Sequence, residues 1–406
     1  MKSNQVLTDH TIIIDNLEKS IRFYGWNSIL SFLPEGSYLV GGYIRDIILR
    51  RVTKQIDVDI VVPLNAIEIG KKIADHTESR FVILDKKREV VRIILNNIYI
   101  DISKQVSNTI EGDLSSRDFS INSIAFLFNK KCLFDPLNGL KDLELSMLRT
   151  YSEINLLDDP LRILRCFRFV SELNFNIDLN LITFIKKNKG KLNLVAKERI
   201  NYELQKIVNG ANALDAVMLV KKFNIFGPVN LYEDYFFLDL EKINYAELTL
   251  EEKEKFLPLF FIAQILDVVS LQKLKFSKAE IAKIKLLRKW YFFLKNKNIF
   301  HLNELDRFKL HQELEMFLPS FIFYLPQKLR LVWLKRWRDK EDTLFHPTNL
   351  LNGDQIKQNF KIEDGPILGE LLEYLSRELA YKRLNNFDEA IFKAKQWIEQ
   401  NAPKCD

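Results

Sequence analysis

The hydrophobic rhythm of the chain changes near residue 150, and that change restricts the fold more than any other feature. Short β-branched runs at Tyr38–Val40, Asp57–Val62, Phe81–Leu84, Val90–Leu95 and Ile98–Ile102 are interleaved with helical stretches in the first part. From Leu161 through Trp397 apolar spacings of three and four dominate, which is the period of an amphipathic helix. A sheet is therefore expected only in the first part, with helices after it, and an all-β sandwich is excluded. Composition agrees: the 406 residues include only 13 Gly and 11 Pro but 30 Phe, so turns are few and large side chains fill the core. With 47% hydrophobic residues the chain can bury a sizeable core, and its length predicts more than one domain. Asn96-Asn97, between two of the runs, is expected to form a tight hairpin turn, because Asn tolerates positive φ.

Several function classes fall away on composition. Cys132, Cys166 and Cys405 are odd in number and scattered, so neither a disulfide framework nor a Cys-ligated zinc is expected. Met1 to His10 lacks the profile of a signal peptide, and the most apolar run, Phe256 to Leu266, is too short to span a bilayer. A soluble, cytoplasmic protein is expected, and oligomeric state is not readable. The net charge of +6 is mild, but its distribution is uneven. Between Arg162 and Arg199 nine basic residues (Arg162, Arg165, Arg168, Lys186, Lys187, Lys189, Lys191, Lys197 and Arg199) face three acidic ones (Glu172, Asp178 and Glu198). The five histidines are dispersed, and His346 before Pro347 reads as a turn.

Two local patterns could carry chemistry. Leu39-Val40-Gly41-Gly42-Tyr43-Ile44-Arg45-Asp46 reads as a strand end, a Gly-Gly corner and a helix start, where backbone N–H groups can approach an anion. Alone it is equally a plain turn. Asp57-Val58-Asp59 precedes Ile60-Val61-Val62, and residues two apart on a strand share a face. Two carboxylates there repel unless a divalent cation or water separates them; Mg²⁺ held by one or two carboxylates plus substrate phosphates is one outcome, and a solvated strand end is the other.

Taken together, Gly-Gly, helix and Asp-x-Asp strand follow the layout of the polymerase-β-like nucleotidyltransferases. The stretch from Gly41 to Asp59 resembles the first motif of the class II tRNA nucleotidyltransferase (CCA-adding or CC-adding enzyme) and bacterial poly(A) polymerase family. Further motifs follow in that family's order. Arg117-Asp118-Phe119-Ser120-Ile121-Asn122-Ser123 resembles Arg-Asp-Phe-Thr-Ile-Asn-Ala, and Asp135-Pro136-Leu137-Asn138-Gly139-Leu140-Lys141-Asp142-Leu143 resembles Asp-Pro-x-x-Gly-x-x-Asp-Leu. Asp158-Asp159-Pro160-Leu161-Arg162 resembles Glu-Asp-x-x-Arg, and Glu198-Arg199-Ile200 with Glu203-Leu204 resembles the last motif. Leu351-Asn352-Gly353-Asp354 and Gly365-Pro366-Ile367-Leu368-Gly369 are similar to the helical tail of many members.

The resemblance implies an α+β fold: an N-terminal polymerase-β-like palm (head) over residues 1–150, then an all-helical neck at 151–215 with the base-templating motif, a body at 216–330 and a tRNA-binding tail at 331–406. It implies that Asp57 and Asp59 hold two Mg²⁺ ions; Asp101, at the end of Ile98-Tyr99-Ile100, alternates correctly to be a third catalytic carboxylate, as the superfamily often has, or is a solvated strand end. Gly41, Gly42 and Arg45 would face the triphosphate, and Arg117, Asp118 and Asn122 the sugar and phosphates. Asp159 and Arg162, one helical turn apart, would read the base as a protein template, with Arg165 and Arg168 extending the nucleotide-binding set along the same helix. The residues alone leave a second reading of that turn, a capped helix start with Asp158 or Asp159 as N-cap and Pro160 in first position.

The expected activity is template-independent addition of C, as CC or full CCA, to tRNA 3′ ends from CTP, with ATP as a second candidate, releasing pyrophosphate. Poly(A) synthesis, A-addition or a catalytically inactive RNA-binding relative are the alternatives. Ser116 stands where the family commonly has a first Arg, Asp158 where it has Glu, and Arg50 where it has Gly. The interval from Asp101 to Arg117 lacks the long mobile segment of CCA-adding members, which leans the expectation towards CC addition. Nothing predicts which body or tail residues touch tRNA; Lys328, Arg330, Lys335, Arg336, Arg338 and Lys340 surround Trp333 and Trp337, but two Trp four apart are expected to pack into a core.

Overall fold

The computed structural model describes residues 6–51, 56–95, 98–227 and 238–401. The turn expected at Asn96-Asn97 and Cys405 lie outside the described residues. The chain forms two compact units, Met1–Ile225 and Phe226–Asp406.

The first unit is built on a seven-stranded mixed sheet. Its strands are β1 (Tyr38–Val40), β2 (Ile56–Val62), β3 (Arg80–Asp85), β4 (Val90–Leu95), β5 (Ile98–Lys104), β6 (Ala125–Leu127) and β7 (Cys132–Phe134), in spatial order β3-β4-β5-β2-β1-β6-β7. Only β2 and β5 pair in parallel; the remaining neighbours are antiparallel. A further parallel pair joins β8 (Met147–Leu148) to β9 (Asn176–Ile177).

The five strands expected from β-branched runs all form. β6 to β9 were not foreseen, and β9 interrupts the helical region expected beyond Leu161. The reason is length and burial: β6 has three residues, all buried, so no alternation reports it, and β8 and β9 have two each.

The helices of this unit are α1 (His10–Phe23), α2 (Gly42–Ile48), α3 (Ala66–His76), α4 (Ile110–Ser115), α5 (Gly139–Glu144), α6 (Glu153–Asp158), α7 (Arg162–Leu173), α8 (Leu179–Asn188), α9 (Lys197–Asn209) and α10 (Ala213–Lys222). In α7 the buried side chains Ile163, Leu164, Cys166, Phe167, Phe169 and Val170 pack inward, while Arg162, Arg165 and Arg168 recur every third residue along one edge. Asn174, left-handed at φ 60°, ends it.

The second unit is helical. Its longest helices, Leu250–Ile265 and Lys278–Asn296, both start in a capping box, Thr249 with Glu252 and Ser277 with Glu280. The apolar run Phe256 to Leu266 falls largely in the first of these, and its Phe260, Phe261 and Ile262 are buried. Leu351, Ile356, Leu368, Leu371 and Leu375 form a separate apolar cluster near the C-terminal end. Trp333 is buried as expected, and the Trp337 indole donates to the Glu315 carbonyl at 2.6 Å while its ring packs on Phe256. Arg336 pairs with Asp342 and Arg338 with Glu252, so part of the basic group around these tryptophans serves the fold. His346 lies at the bend that follows the turn at Thr343–Phe345 and is buried: Glu315 and the Trp337 carbonyl take its two ring nitrogens. Among the described residues no helix is long and apolar enough to cross a membrane.

Candidate active site

The site begins on β2. Asp57 and Asp59 project from one face, while Ile56, Val58 and Ile60 are buried on the other. Asp59 lies opposite Asp101 of β5 on one side and Val40 of β1 on the other. The next residue after Val40 is Gly41, with φ 81° and ψ −144°, a conformation L side chains avoid. A Cβ there would lie 2.9 Å from Asp59 Oδ2 and 3.3 Å from Arg117 Nη1, so both the backbone and the carboxylate need glycine. Burial pushes the Asp59 carboxyl above its usual range; Asp101 and Asp57 push the same way, against Arg117 and Arg165. Asp101 stands beside Asp59 in the sheet, but its two oxygens receive Arg92 Nε and Nη2, each at 2.7 Å.

A chain of hydrogen bonds joins three distant parts of the sequence around these carboxylates. Arg45 of α2 donates from Nη1 to Asn122 Oδ1 at 2.7 Å, and from Nε and Nη2 to Asp46 at 3.1 Å. Asn122 Nδ2 donates to Asp118 Oδ1 at 3.0 Å, and Arg165 Nε donates to Asp118 Oδ2 at 2.7 Å. Burial alone would raise the Asp118 carboxyl, but Arg165, Asn122 and the Phe119 N–H outweigh it and hold the group far below the usual carboxylate range. Asp118 is thus the buried anion that ties the loop after α4 to α7.

Two cavities meet at this junction. One, of about 310 Å³, is lined by Gly41, Gly42, Arg45, Asp57, Asp59, Asn122, Arg168 and Phe169. The other, of about 610 Å³, is lined by Asp159, Arg162, Arg199 and Tyr202. Arg117, Asp118 and Arg165 line both. Of the residues expected at the site from sequence, Asp101 alone lines neither.

The turn at Asp158-Asp159 differs from the capped helix start considered above. Asp158 is the last residue of α6, whose own cap is Ser152, and α7 begins at Arg162 without a side-chain cap. Asp159 stands at the corner between the two helices. Its Oδ1 accepts from Leu161 N at 3.3 Å and its Oδ2 from Arg199 Nη2 at 2.8 Å. Arg162 Nη1 donates to the carbonyls of Ser116 at 2.9 Å and Asn155 at 3.2 Å, and burial lowers its pKa. Both side chains reach the same cavity, each braced by another partner. Ser116, in the place of the family's arginine, closes α4 with its hydroxyl on the Asp113 carbonyl at 2.6 Å.

Several lining residues were not singled out from sequence. Ser20 and Tyr24 come from α1 or just after it, and no local pattern links them to a site. Arg51 lines the same cavity and pairs with Asp46 at 3.1 Å; its neighbourhood to the Gly-Gly motif was the available signal. Phe169 fits the apolar period of α7 and reads as ordinary core. Arg199 lies inside the last motif, where only its fold neighbours could show that it holds Asp159.

Comparison with known proteins agrees with this geometry. Residues 37–149 match the model of the poly A polymerase head domain, 174–230 that of a probable RNA- and SrmB-binding site of polymerase A, and 250–394 that of a putative tRNA nucleotidyltransferase domain 2. The chain is 29% identical to the CC-adding tRNA nucleotidyltransferase of Synechocystis sp., over 90% of this chain and 95% of that protein. It is 24% identical to the CCA-adding enzyme of Staphylococcus aureus, over 90% and 94%. In fold it is similar to the Thermotoga maritima CCA-adding enzyme complexed with tRNA, with a TM-score of 0.69, 23% identity and coverage of 97% of this chain and 100% of the other. A CCA-adding enzyme in complex with CTP superposes with a TM-score of 0.72 at 22% identity, covering 97% of this chain and 100% of the other. With its ordered motifs folded around one junction and these matches along its length, the chain carries a poly A polymerase head domain and a tRNA nucleotidyltransferase domain and is a nucleotidyltransferase.

Proposed function

We propose that this enzyme adds cytidines to the 3′ end of tRNA, using CTP and releasing pyrophosphate. The observation that carries this is the pair of confluent cavities, with carboxylates and arginines suited to a triphosphate in one and the Asp159/Arg162 pair in the other. The tRNA 3′-hydroxyl oxygen would form a bond to the α-phosphorus as the α–β phosphoanhydride bond breaks, releasing pyrophosphate and a proton.

The residues present fit Mg²⁺. Asp57 and Asp59 are hard oxygen donors on one face, and among the described residues no group of three metal-ligating side chains occurs, which matches an ion held by two carboxylates and substrate phosphates. Burial is the main cause of the raised Asp59 carboxyl, with Asp101 and Asp57 adding to it, and a divalent cation at this pair would favour the ionised form. When bound, two Mg²⁺ ions would supply charge neutralisation on the triphosphate and acidify the attacking hydroxyl. The protein's own contribution is placement: Arg45, Arg165 and Arg168 orient the phosphates, and Gly41 leaves Asp59 room to approach them. On the base side the Asp159 carboxylate accepts from an exocyclic amine and Arg162 donates to ring acceptors, a pattern that suits C or A and mismatches U or G.

CC addition is the specificity supported best. The stretch between β5 and α4, from Gln105 to Thr109, is five residues long, and the Synechocystis relative whose name specifies CC addition is more similar than the CCA-adding one. The test is product length on a tRNA transcript lacking its CCA end, with CTP, ATP or both. Two additions even with ATP present support CC addition; three show a complete CCA-adding enzyme; A-only products move the assignment to A-addition or poly(A) synthesis. No addition, or full activity in Asp57→Ala, overturns the assignment.

A further inference from the structure

The first cavity gathers three of its arginines on one aromatic ring. Arg45, Arg165 and Arg168 come from two helices, yet their guanidinium carbons lie 5.1, 5.6 and 5.1 Å from the centroid of a single ring, that of Phe169. The ring is 1% exposed and is itself fixed by Phe119, which meets it edge-on with centroids 5.6 Å apart and planes at 89°. Phe119 follows Asp118 directly, so the ring is braced by the same loop whose Asp118 lines both cavities. Three like charges gathered around one ring repel one another; carboxylates hold each of them from outside, and the ring is the one group that faces all three.

We propose that Phe169 is a positioning residue for the triphosphate: its π-face collects the three guanidinium groups and holds them in the orientation that meets the phosphates. This deepens the function proposed above and rests on it. The physical case turns on what else could stand there. The carboxylates that pair with these arginines, Asp46, Asp118, Glu172 and Glu203, each engage one of them from its own side. A carboxylate in the ring's place would attract all three but would cancel one positive charge and repel the incoming phosphates. An aromatic quadrupole attracts cations without carrying a net charge, so the cluster keeps its attraction for an anion. An aliphatic side chain of similar size would fill the volume but offer the guanidinium groups no inward attraction, leaving their orientation to the outer carboxylates. The repulsion among the three is relieved when the triphosphate binds, so orientation by the ring favours the bound state.

Replacing Phe169 in the full-length enzyme by mono-, di- and trifluorophenylalanine tests this, because fluorine drains the π-face while the volume hardly changes. KM for CTP should rise stepwise along the series, to about tenfold at the end, with log KM linear in the number of fluorines and KM for tRNA unchanged. Phe169→Leu should raise it about fivefold to thirtyfold. The same fluorine series at Phe167, a buried ring on α7 that packs on Phe223, should leave KM for CTP flat. A flat series at Phe169, or equal shifts at Phe167 and Phe169, overturns the positioning role. Arg45→Ala and Arg168→Ala separate the two levels: if they raise KM for CTP while the fluorine series is flat, only the role of the ring fails, and if neither raises it, the triphosphate assignment fails as well.

Discussion

Gly41 and Asp118 show how single residues set the site. At Gly41 the backbone is left-handed, and an added Cβ would meet Asp59 Oδ2 at 2.9 Å. Gly41→Ala should therefore displace the Asp59 carboxylate proposed to hold metal and lower kcat about 100-fold, the cost of roughly 1 Å of misplacement, while the strained backbone lowers stability by about 1–3 kcal/mol. Single-turnover incorporation of CTP beside a melting curve checks both. Asp118 is buried, and its role is to compensate Arg165. Removing one partner of such a pair leaves a buried charge, so Asp118→Asn should cost about 3 kcal/mol in denaturant unfolding. The pH dependence has a definite sign. The folded pKa is depressed, so Asp118 stabilises the protein above the unfolded value of about 3.9, and that stabilisation is lost as pH falls through the folded value. The Asn variant should lack that component of the acid limb.

At the scale of elements, α7 is the clearest case of sequence spacing becoming a site. Arg162, Arg165 and Arg168 at intervals of three put their heads along one edge, and the intervening apolar residues anchor the helix. The spacing was readable, but the partners of each head were not: Ser116 and Asn155 for Arg162, Asp118 for Arg165, Glu172 and Glu203 for Arg168. The helix Glu304–Leu314 of the second unit makes a different point. Its His311 is buried between the rings of Trp333 and Phe345, with centroids at 4.6 and 3.9 Å, and burial, helped by Arg336 and Arg307 against Asp342, lowers its pKa to about 3. The native state keeps this imidazole neutral while the unfolded chain takes up a proton below about pH 6.5. Stability should thus fall on acidification from pH 7 to 5 by about 2 kcal/mol from this group, and His311→Leu should remove that difference. Denaturant unfolding of both proteins at the two pH values measures it.

For the whole molecule, the basic excess from Arg162 to Arg199 suits either a surface that receives tRNA phosphates or an ordinary solvated lysine-rich face. Much of it is otherwise engaged. Its four arginines line the cavities, Arg199 also holding Asp159, the Lys186 ammonium sits over the Phe223 ring, and Lys189 donates to the Phe223 carbonyl. Lys187 and Lys191 are exposed, and if they meet phosphates, a Lys187→Gln/Lys191→Gln double variant should flatten the log KM against log salt plot for tRNA by about one to two units, with KM for CTP unchanged. An unaltered slope would place the phosphate contacts elsewhere. The sequence by itself determined the five leading strands, the helical remainder and the order of the motifs, because hydrophobic period and glycine or carboxylate spacing are local properties that survive without the fold. What it could not determine is which distant groups meet. Asn122 reaching Arg45, Arg92 taking Asp101 across a strand pair, Arg199 holding Asp159 and Arg45 joining Arg165 and Arg168 on the Phe169 ring all depend on contacts that residue spacing does not report. Those pairings are decided by strand order and helix packing, where burial makes each unpaired charge costly enough to select its partner.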